Sequence, residues 1–423
     1  MKQDYSSPRW SMEIQDCSMP MTFDTYSRCS YNCLYCFSFF QKSHTVDGYL
    51  TGDVRSVNPK KVIAIFEAAE GRGEIKGRNN AQFFPLIRDR RIMQWGGLAD
   101  QFDEYERRNG ITLELLEYFD RIDYPLSCST KATGWTQDEL YMTLFARHSH
   151  NWHVKISIIT ADDAKAVKME KGVPTSTERL AAVKRLADAG IHVTLRLRPY
   201  IVGMSEDYEA LIHAAADAGA DSVTTEFFCM ETRADARLKA RYAAMSQIVG
   251  FDIYDFYRKH SPQNGYRRLT RNVKVPIAEK MREAAHRRGM RFHASDAHLR
   301  DFNDACNCCG VPPEWGCSCT GHIGEAVMIA QKKGIVTYSD IEAQRARYFS
   351  FPWIETASFN TGNNRARAIY YDTTMAQWLR QMWNDTDRGG GVTKGYGGVL
   401  EPAGHDERGD LIFRYAGRGG RNA

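Results

Sequence analysis

No stretch of the 423-residue sequence is long and apolar enough to predict a membrane-spanning helix, which needs about 18 apolar residues in succession. The opening segment, Met1 to Met19, lacks the apolar core of a secretory signal peptide. The net charge of +4 is too small to indicate nucleic-acid binding by itself. These absences predict a soluble protein without a membrane partner, and the cytoplasm is the expected location.

The composition that remains is typical of a globular protein, with 43% hydrophobic and 26% charged residues. The length exceeds the size at which one hydrophobic core stops growing, so two or more domains are expected. The 11 cysteines are an odd number and cluster at spacings typical of metal ligands, which suits a reducing compartment.

Three of these cysteines, Cys29, Cys33 and Cys36, follow the pattern C-x3-C-x2-C. Three thiolates are one ligand short of a closed tetrahedral zinc site or of an all-cysteine iron–sulfur site. An iron–sulfur cluster held here would leave one iron with an open position, where chemistry can occur. A zinc knuckle or an unligated trio is the alternative interpretation.

A second group of thiols lies between residues 306 and 322, in a segment rich in Gly, Pro and Asn that we expect to form an exposed loop. Free thiols in such a loop would oxidise easily, and the loop has little core to hold it without a ligand. The group therefore predicts an auxiliary iron–sulfur cluster or a structural zinc, with inert cysteines as the alternative. Its members are Cys306, Cys308, Cys309, Cys317, Cys319 and His322.

Strand-like and helix-like segments alternate from Met21 to Phe228, which predicts a parallel sheet covered by helices. A doubly wound, flavodoxin-like sheet is the alternative, and it would leave the first three cysteines without a role. The predicted strands are 21–26, 91–95, 124–130, 153–160, 191–202 and 222–228, and the main predicted helices begin at Pro59, Ile111, Thr136, Ser176 and Glu206.

Beyond Met230 the pattern changes to helices at 233–259 and 274–288. We therefore expect three regions: a sheet domain over 1–230, a helical extension with the second cysteine group over 231–336, and a basic, aromatic region over 337–423.

Arginines in that last region alternate with aromatic residues, which suits phosphate contacts and base stacking but is also produced by an amphipathic core. The Gly-rich segments 389–398 and 417–422 resemble flexible tails. The residues of the arginine and aromatic pattern are Arg345, Arg347, Tyr348, Phe349, Phe351, Trp353, Phe359, Arg365, Arg367, Tyr370 and Tyr371.

The first cysteine pattern, with Tyr35 directly before Cys36 and a short β-like segment before Cys29, resembles the signature of the radical SAM enzymes. The resemblance implies that the three cysteines hold a 4Fe-4S cluster whose fourth iron binds S-adenosylmethionine, and that reductive cleavage yields a 5'-deoxyadenosyl radical. It implies that Tyr35 lies by the adenine and that an external electron donor such as flavodoxin or ferredoxin is needed.

The same resemblance implies an α/β fold, a partial (β/α)6 TIM-type barrel with its chemistry at the carboxyl ends of the strands. The helical pattern after residue 230 adds an α-rich C-terminal extension that carries the second cysteine group.

Within that superfamily, residues 22–230 are similar to the spore photoproduct lyase group of thymine-dimer repair enzymes. The similarity implies that Lys131 and Ser157 contact S-adenosylmethionine, with the lysine at the methionyl carboxylate. An ordinary lysine at the rim of the sheet is the alternative for Lys131. The matching segments are Trp95-Gly-Gly-Leu-Ala-Asp100, 127–131, 155–160, 179–190 and 197–199, which also bring Gly96, Gly97, Ala99, Asp100 and Arg198 to matching strand ends.

One position departs from the lyase pattern, because the hydrogen-donating cysteine of that group would fall at Gly97. Cys128 and Cys229, at or near strand ends, are the candidate replacements. A rearrangement needs no donor, since the product radical can recover hydrogen from 5'-deoxyadenosine.

We therefore expect isomerisation of a modified thymine-type base in DNA, as in viral DNA hypermodification. The alternatives are a lyase that repairs a thymine photoproduct, a radical SAM enzyme that modifies RNA or a peptide, and a non-enzymatic zinc protein that binds nucleic acid.

Overall fold

The computed structural model describes residues 1–11, 14–39, 46–75, 78–232, 235–261, 266–350, 374–387 and 391–417. An eight-stranded sheet, a three-stranded sheet and a two-stranded ladder account for the strands in these ranges. The strands are β1 (Arg9–Trp10), β2 (Met21–Phe23), β3 (Asn32–Cys33), β4 (Met93–Trp95), β5 (Leu126–Thr130), β6 (Trp152–Ser157), β7 (Glu170–Lys171), β8 (Val193–Tyr200), β9 (Ser222–Phe227), β10 (Arg291–Ala294), β11 (Ile335–Val336), β12 (Leu400–His405) and β13 (Leu411–Tyr415).

The large sheet has the spatial order β1-β2-β4-β5-β6-β8-β9-β10, with β1 antiparallel and every other neighbouring pair parallel. The parallel strands follow one another in chain order without a reversal. A doubly wound sheet reverses its strand order at a switch point, so this order agrees with a partial barrel of the radical SAM type instead. The predicted mixed α/β fold is therefore confirmed, while the described strands form an open sheet.

Three of the helices between the strands begin at a residue whose side chain caps the first turn. Asn58, Asp138 and Thr175 each accept a backbone N–H with the side chain at the start of a helix. The helices are α1 (Val46–Thr51), α2 (Pro59–Ala69), α3 (Arg78–Ala81), α4 (Phe84–Arg88), α5 (Glu104–Asn109), α6 (Ile111–Arg121), α7 (Glu139–Arg147), α8 (Asp163–Met169), α9 (Ser176–Asp188), α10 (Tyr208–Asp217), α11 (Ala236–Val249), α12 (Ile253–His260), α13 (Arg271–Arg287), α14 (Ile323–Lys333), α15 (Ser339–Phe349), α16 (Met375–Asn384) and α17 (Val392–Gly395), with short 3-10 turns at Gly134–Gln137, Ala297–Phe302 and Pro313–Trp315.

The two faces of the sheet differ in chemistry because side chains alternate along each strand. One face is apolar and packs under helices, as Trp95 does against Phe119 of α6. The other face, called the polar face below, carries hydroxyl, imidazole and cationic groups at aligned register positions: Ser127, Ser129, His153, Lys155, Ser157, Thr194, Arg196, Ser222, Thr224 and His293. A polar inner face predicts a ligand-binding interior rather than a packed apolar one.

The structure differs from the sequence prediction at strand β10, which lies in the segment expected to be a helical extension. Arg291 pairs with Ser222 and Ala294 with Thr225, so the strand adds a seventh parallel member to the sheet. The strand has four residues, of which the first is charged and the third is a histidine. So short and polar a segment has no strand signal of its own, and its pairing with β9 is what defines it.

The C-terminal residues that the structure describes form a second core around β11, β12, β13 and α14. The Gly-rich segment expected to be flexible contributes buried side chains to this core, including Val392 and Tyr396. Residues 389–390 and 418–422 of the predicted tails lie outside the described ranges. Every helix in the described ranges is too short or too polar to span a membrane.

The predicted mixture of arginine and aromatic residues belongs in part to the core. Arg345 is buried and donates to the carbonyl oxygens of Gly321 and Leu379, while Tyr348 and Phe349 are buried. Arg347 pairs with Asp89 on the surface. The other members, Phe351, Trp353, Phe359, Arg365, Arg367, Tyr370 and Tyr371, lie outside the described residues.

Candidate cofactor site at the carboxyl edge of the sheet

The loop with Cys29, Cys33 and Cys36 follows β2 and lies at the carboxyl edge of the parallel strands. Its middle forms β3, which pairs antiparallel with β7 so that Cys33 lies opposite Glu170. The backbone N–H of Leu34 also donates to Met169 at 2.9 Å. The loop is thus attached to the segment that follows β6, a strand that lies three strands away from β2 in the sheet.

A buried hydrogen-bond chain joins this loop to the centre of the sheet. The Tyr35 hydroxyl donates to the Glu170 carboxylate, and Arg179 donates to the same carboxylate at 2.6 Å. A second nitrogen of Arg179 donates to the Ser157 carbonyl oxygen at 2.6 Å. Because Glu170 and Arg179 are almost fully buried and satisfy each other, they fix the position of Tyr35 rather than take part in chemistry.

A third attachment comes from α11, where Arg241 reaches the loop from the other side. Its guanidinium donates to the carbonyl oxygen of Leu34 at 3.1 Å, to the side-chain oxygen of Asn32 at 2.8 Å, and to the carbonyl oxygen of Cys33. The guanidinium also stacks 4.4 Å from the Phe39 ring centroid. Arg241 is therefore a positioning residue for the cysteine loop.

Two aspartates after β4 hold the loops around the site. Asp103 accepts the backbone N–H of Ser30, next to Cys29, and so anchors the start of the cysteine loop. Asp100 accepts from the Thr130 hydroxyl at 2.7 Å and from the Lys131 backbone N–H at 2.6 Å, which ties the ends of β4 and β5 together. The role of Asp100 as a cofactor ligand stays a prediction, and the contacts give it a positioning role.

Burial favours the protonated form of the Cys29 and Cys33 thiols unless an electropositive group is bound. Burial, reinforced by the charges of Cys36 and Asp103, raises the pKa of Cys29 to about 12. Burial also raises the pKa of Cys33, and the Lys131 charge opposes that rise. Thiolates at this position need a metal or cluster to stabilise them. Thiolates are soft ligands, and they commonly bind iron in iron–sulfur clusters. The donor set fits an iron–sulfur cluster.

Lys131, predicted to contact a cofactor carboxylate, lies beside the cysteine loop with its ammonium 5.7 Å from the Tyr35 ring centroid. Ser157 is buried at the end of β6, and its hydroxyl accepts from Arg196 at 3.2 Å. Arg198 forms an ion pair with Glu226. The structure therefore brings Tyr35, Lys131 and Ser157 to one edge of the sheet, as the sequence motifs require.

Gly96 and Gly97, which follow β4, are constrained to glycine by different physical factors. Gly96 has φ +84°, and a Cβ there would lie 2.1 Å from the Gln101 side-chain oxygen and 2.4 Å from the Ser129 carbonyl oxygen. Gly97 has no such strain, but a Cβ would lie 2.9 Å from the Arg9 guanidinium. Arg9 is held there by Asp24, whose other carboxylate oxygen accepts the N–H of Ala99 at 3.0 Å. A side chain at position 97 would have to displace this ion pair.

The two cysteines considered as hydrogen donors lie in different environments. Cys128 is fully buried on β5, opposite Trp95 and Val154 in register, so it belongs to the helix-covered face and not to the polar face. Because side chains alternate between the two faces of a sheet, Cys128 lies on the face away from the site. Cys229, just after β9, lines the same small cavity of about 10 Å³ as Tyr35 and Cys36.

Two cations of the polar face were not predicted from the sequence. Lys155 is 1% exposed and Arg196 has only partial exposure, and neither has a carboxylate within 4.0 Å among the described residues. Burial, followed by the charge of Arg198, lowers the pKa of Arg196 to about 10, so the group stays charged at neutral pH. Polar residues occupy every second position of 153–157 and 194–198, and this pattern is the sequence signal that would have predicted the two cations.

The second cysteine group was expected in an exposed loop, and this expectation was wrong. Cys308, Cys309 and Cys319 are buried. The loop lies on the polar face, where the Thr224 hydroxyl donates to the Cys308 carbonyl oxygen at 2.6 Å. A Cβ on Gly310 would lie 2.3 Å from the Thr194 hydroxyl, so only glycine fits against the sheet there. The polar interior of the sheet, unpredictable from the loop itself, is what buries it.

His322 has another role than the one the sequence suggested. Its Nδ1 accepts the N–H of Glu325 at 3.4 Å as the cap of α14. Burial lowers its pKa to about 3, so it is neutral. Whether any of these residues binds metal stays a prediction.

No model of a known protein family matches the chain. Uncharacterized proteins from Mycobacterium tuberculosis and Mycobacterium bovis are 25% identical over 283 residues, which is 63% of this chain and 76% of theirs. Spore photoproduct lyase complexed with dinucleoside spore photoproduct is 16% identical with a TM-score of 0.49, covering 70% of this chain and 81% of that one.

A second solved structure of similar fold is SuiB from Streptococcus suis, bound to the precursor peptide SuiA. It is 13% identical with a TM-score of 0.41, and the match covers 67% of this chain and 51% of SuiB. Other solved structures of the two proteins contain bound S-adenosylmethionine. The similarity concerns the fold and assigns no role to a residue.

Proposed function

We propose that the protein is a radical SAM enzyme whose 4Fe-4S cluster is held by Cys29, Cys33 and Cys36. The observation that supports this most strongly is the loop itself. It offers three thiols, it is attached on three sides by Glu170, Asp103 and Arg241, and it borders a cavity at the carboxyl edge of a singly wound parallel sheet. When bound, the cluster and S-adenosylmethionine supply a 5'-deoxyadenosyl radical, with the electron coming from flavodoxin or ferredoxin.

The residues around the loop have distinct parts in this proposal. Lys131 offers a positive charge to the carboxylate of S-adenosylmethionine, and Tyr35 offers an aromatic surface for its adenine. Ser157 and the backbone after Gly96 complete the binding edge. Arg241, Glu170 and Asp103 keep the three thiols in register, so that their side chains do not have to reorganise when the cluster assembles.

The first experiment tests this assignment directly. Replacing Cys29, Cys33 or Cys36 by Ala should abolish formation of 5'-deoxyadenosine from S-adenosylmethionine under reducing, anaerobic conditions. Cys128→Ala, on the helix-covered face, is the matched control and should retain it. If the triple alanine variant still forms 5'-deoxyadenosine, the assignment is wrong.

For the substrate we propose a modified thymine-type base in DNA, on the strength of the sequence motifs similar to those of the spore photoproduct lyase group. The polar face adds a physical requirement. Lys155 is buried and Arg196 is partly exposed, and neither has a carboxylate within 4.0 Å among the described residues, so a bound anion would stabilise both charges. A substrate with a phosphate or carboxylate would satisfy them.

For the reaction we propose isomerisation, as in viral DNA hypermodification. Position 97 offers no hydrogen donor, and Arg9 fills the space beside it. A rearrangement returns hydrogen from 5'-deoxyadenosine to the product radical, so atoms and electrons balance without a donor side chain. Substrate deuterated at the abstracted position should pass deuterium into recovered S-adenosylmethionine with little net loss of that cofactor.

A lyase is the second candidate, because Cys229 lines the same cavity as Cys36 and could donate hydrogen. A lyase with this donor would release one 5'-deoxyadenosine per product and incorporate solvent hydrogen. Cys229→Ala would then stall product formation without stopping cleavage of S-adenosylmethionine. For an isomerase, Cys229→Ala should leave the deuterium transfer intact.

We also propose that the second cysteine group binds an auxiliary metal. Five thiols lie within fourteen positions, 306 to 319, and three of them are buried. Burial raises the pKa of Cys317 to about 11, so this thiol also needs a cation before it can act as a ligand.

A further inference from the structure

Three side chains with metal-binding atoms meet at the amino edge of the sheet, away from the cysteine loop at the carboxyl edge. Asp123 lies between α6 and β5, and His148 and His150 lie between α7 and β6. One carboxylate oxygen of Asp123 is 3.0 Å from Nδ1 of His148 and 3.0 Å from Nε2 of His150. These three residues are called the Asp–His trio below.

The separations within the Asp–His trio are close to those of a zinc coordination sphere. Nitrogen and oxygen ligands about 2.0–2.2 Å from a tetrahedral zinc lie about 3.3 Å from one another. Two separations in the trio are 3.0 Å, and all three ligand atoms lie within 4.8 Å of one another. An ion that replaces the protons between these atoms therefore requires only small shifts of the side chains.

His148 has the outer hydrogen bond that is typical of a metal-binding histidine. Its second ring nitrogen, Nε2, lies 2.7 Å from a carboxylate oxygen of Asp120. A histidine that donates this N–H to a carboxylate keeps the other nitrogen free to bind a metal. The ring is buried and stacks on Trp152 at a centroid distance of 4.5 Å, and Asp120 is itself paired with Arg147. These contacts hold Nδ1 in the direction of Asp123.

The backbone and neighbours of Asp123 also hold its carboxylate in place. Asp123 has φ +49°, in the left-handed region that aspartate and asparagine adopt more readily than most residues. The side-chain nitrogen of Asn151 donates to the shared oxygen at 2.7 Å, and Arg90 lies 3.9 Å from the other oxygen. The side-chain oxygen of Asn151 is buried without a hydrogen-bond partner in the described part of the chain. The same amide thus offers an acceptor beside the trio.

We propose that Asp123, His148 and His150 bind a zinc-type divalent ion. Two imidazoles and one carboxylate suit this class of metal, and three protein ligands leave a fourth position for water. The ion joins the turn before β5 to the turn before β6, so its role is structural and separate from the chemistry at the carboxyl edge. The metal-free alternative is a His148 imidazolium that bridges Asp120 and Asp123.

The first test is calorimetric titration of the anaerobically purified, iron-loaded full chain with zinc. His150→Ala should weaken zinc binding by about 100-fold or more, because loss of an outer hydrogen-bond partner alone typically costs about 10–100-fold. The His150 side chain is 60% exposed, so its removal should leave the fold intact. His286→Ala is the matched control, since His286 is also an exposed histidine on a carboxylate, 2.7 Å from Asp304. Equal zinc binding by the native and His150→Ala chains would overturn the inference.

X-ray absorption at the zinc edge distinguishes the Asp–His trio from the cysteine groups, because iron does not contribute at that edge. At one equivalent of zinc we expect nitrogen and oxygen ligands at about 2.0–2.2 Å, and a shell made only of sulfur at about 2.3 Å would refute the site.

A further variant, Asp123→Asn, keeps the size of the side chain and tolerates the left-handed backbone. Zinc should raise the unfolding temperature of the native chain and not that of Asp123→Asn, because only a ligand that binds the folded state stabilises it. An equal rise in both chains would count against ligation by Asp123.

Discussion

At the scale of single residues, the site depends on side chains that hold the cysteine loop without touching the cofactor. Arg241 is the clearest of these, because it satisfies three oxygen acceptors of residues 32–34 from a helix more than two hundred positions away in sequence. Each buried acceptor left without a partner costs about 1–3 kcal/mol. Losing these hydrogen bonds would therefore destabilise the cysteine loop rather than the sheet.

Arg241→Ala should therefore lower the iron bound at the first cluster and speed its loss in air, with little change in the unfolding temperature of the sheet. The measurement is iron and sulfide per chain in a variant whose second cysteine group is replaced. Arg237→Ala, on the same helix but in an exposed ion pair with Asp47, is the matched control. Equal iron in the two variants would show that Arg241 does not position the loop.

Glu170 is the second residue with a testable structural role, as it accepts from both Arg179 and Tyr35 with 1% exposure. Glu170→Gln leaves the Arg179 guanidinium as a buried charge without a carboxylate, which typically costs 3–5 kcal/mol. Thermal or denaturant unfolding measures the loss. Asp188→Asn removes an exposed pair with Lys184 and should cost about 0.5 kcal/mol or less. Similar losses for the two variants would refute the prediction.

At the scale of elements, the turn after β4 and the alternation of side chains along the strands determine which side chains lie at the site. Gly96 has a left-handed backbone and close neighbours on two sides, one of them the Ser129 carbonyl oxygen of β5. Gly96→Ala should destabilise the fold by more than 1 kcal/mol. It should also disturb the register of the loops that carry Asp100 and Lys131.

Gly134→Ala is the control for that variant, because nothing lies within 4 Å of the added methyl and its backbone is not left-handed. We expect this second substitution to change the free energy of unfolding by 0.5 kcal/mol or less. Chemical denaturation of both variants measures the difference. A Gly96→Ala protein as stable as the Gly134→Ala protein would contradict the geometry of the turn.

At the scale of the whole molecule, a backbone hydrogen bond of 2.8 Å from Cys319 to Ser18 joins the N-terminal segment to the loop after β10 that contains the proposed auxiliary metal site. Residues 14–19 and 305–320 would then lose protection together when the metal is removed. Hydrogen exchange of holo and chelated protein measures this, with α9 as an internal control that should keep its protection. Loss confined to 305–320, with 14–19 unchanged, would show that the hydrogen bond does not couple the two segments.

The sequence alone determined the features that arise from local chemistry. Caps, apolar periodicity and short β-branched runs predicted α2, α6, α9 and the strands β5, β6, β8 and β9 within a few residues, because each element carries its own signal. The C-x3-C-x2-C loop was recognisable because its three thiols are close in sequence. Tyr35, Lys131 and Ser157 were predicted as site residues because each lies within a sequence motif.

Only the tertiary structure decided which remote residues meet. β10 is a strand because β9 offers it an edge, and Arg241 is a loop anchor because α11 packs beside β3. Cys17 packs against the same buried cluster as Cys317, and strand register brings Lys155 and Arg196 to one face of the sheet. The physical reason is that hydrogen bonds, burial and charge depend on distance in space, whereas spacing along the chain reports only on neighbours within a turn or a strand.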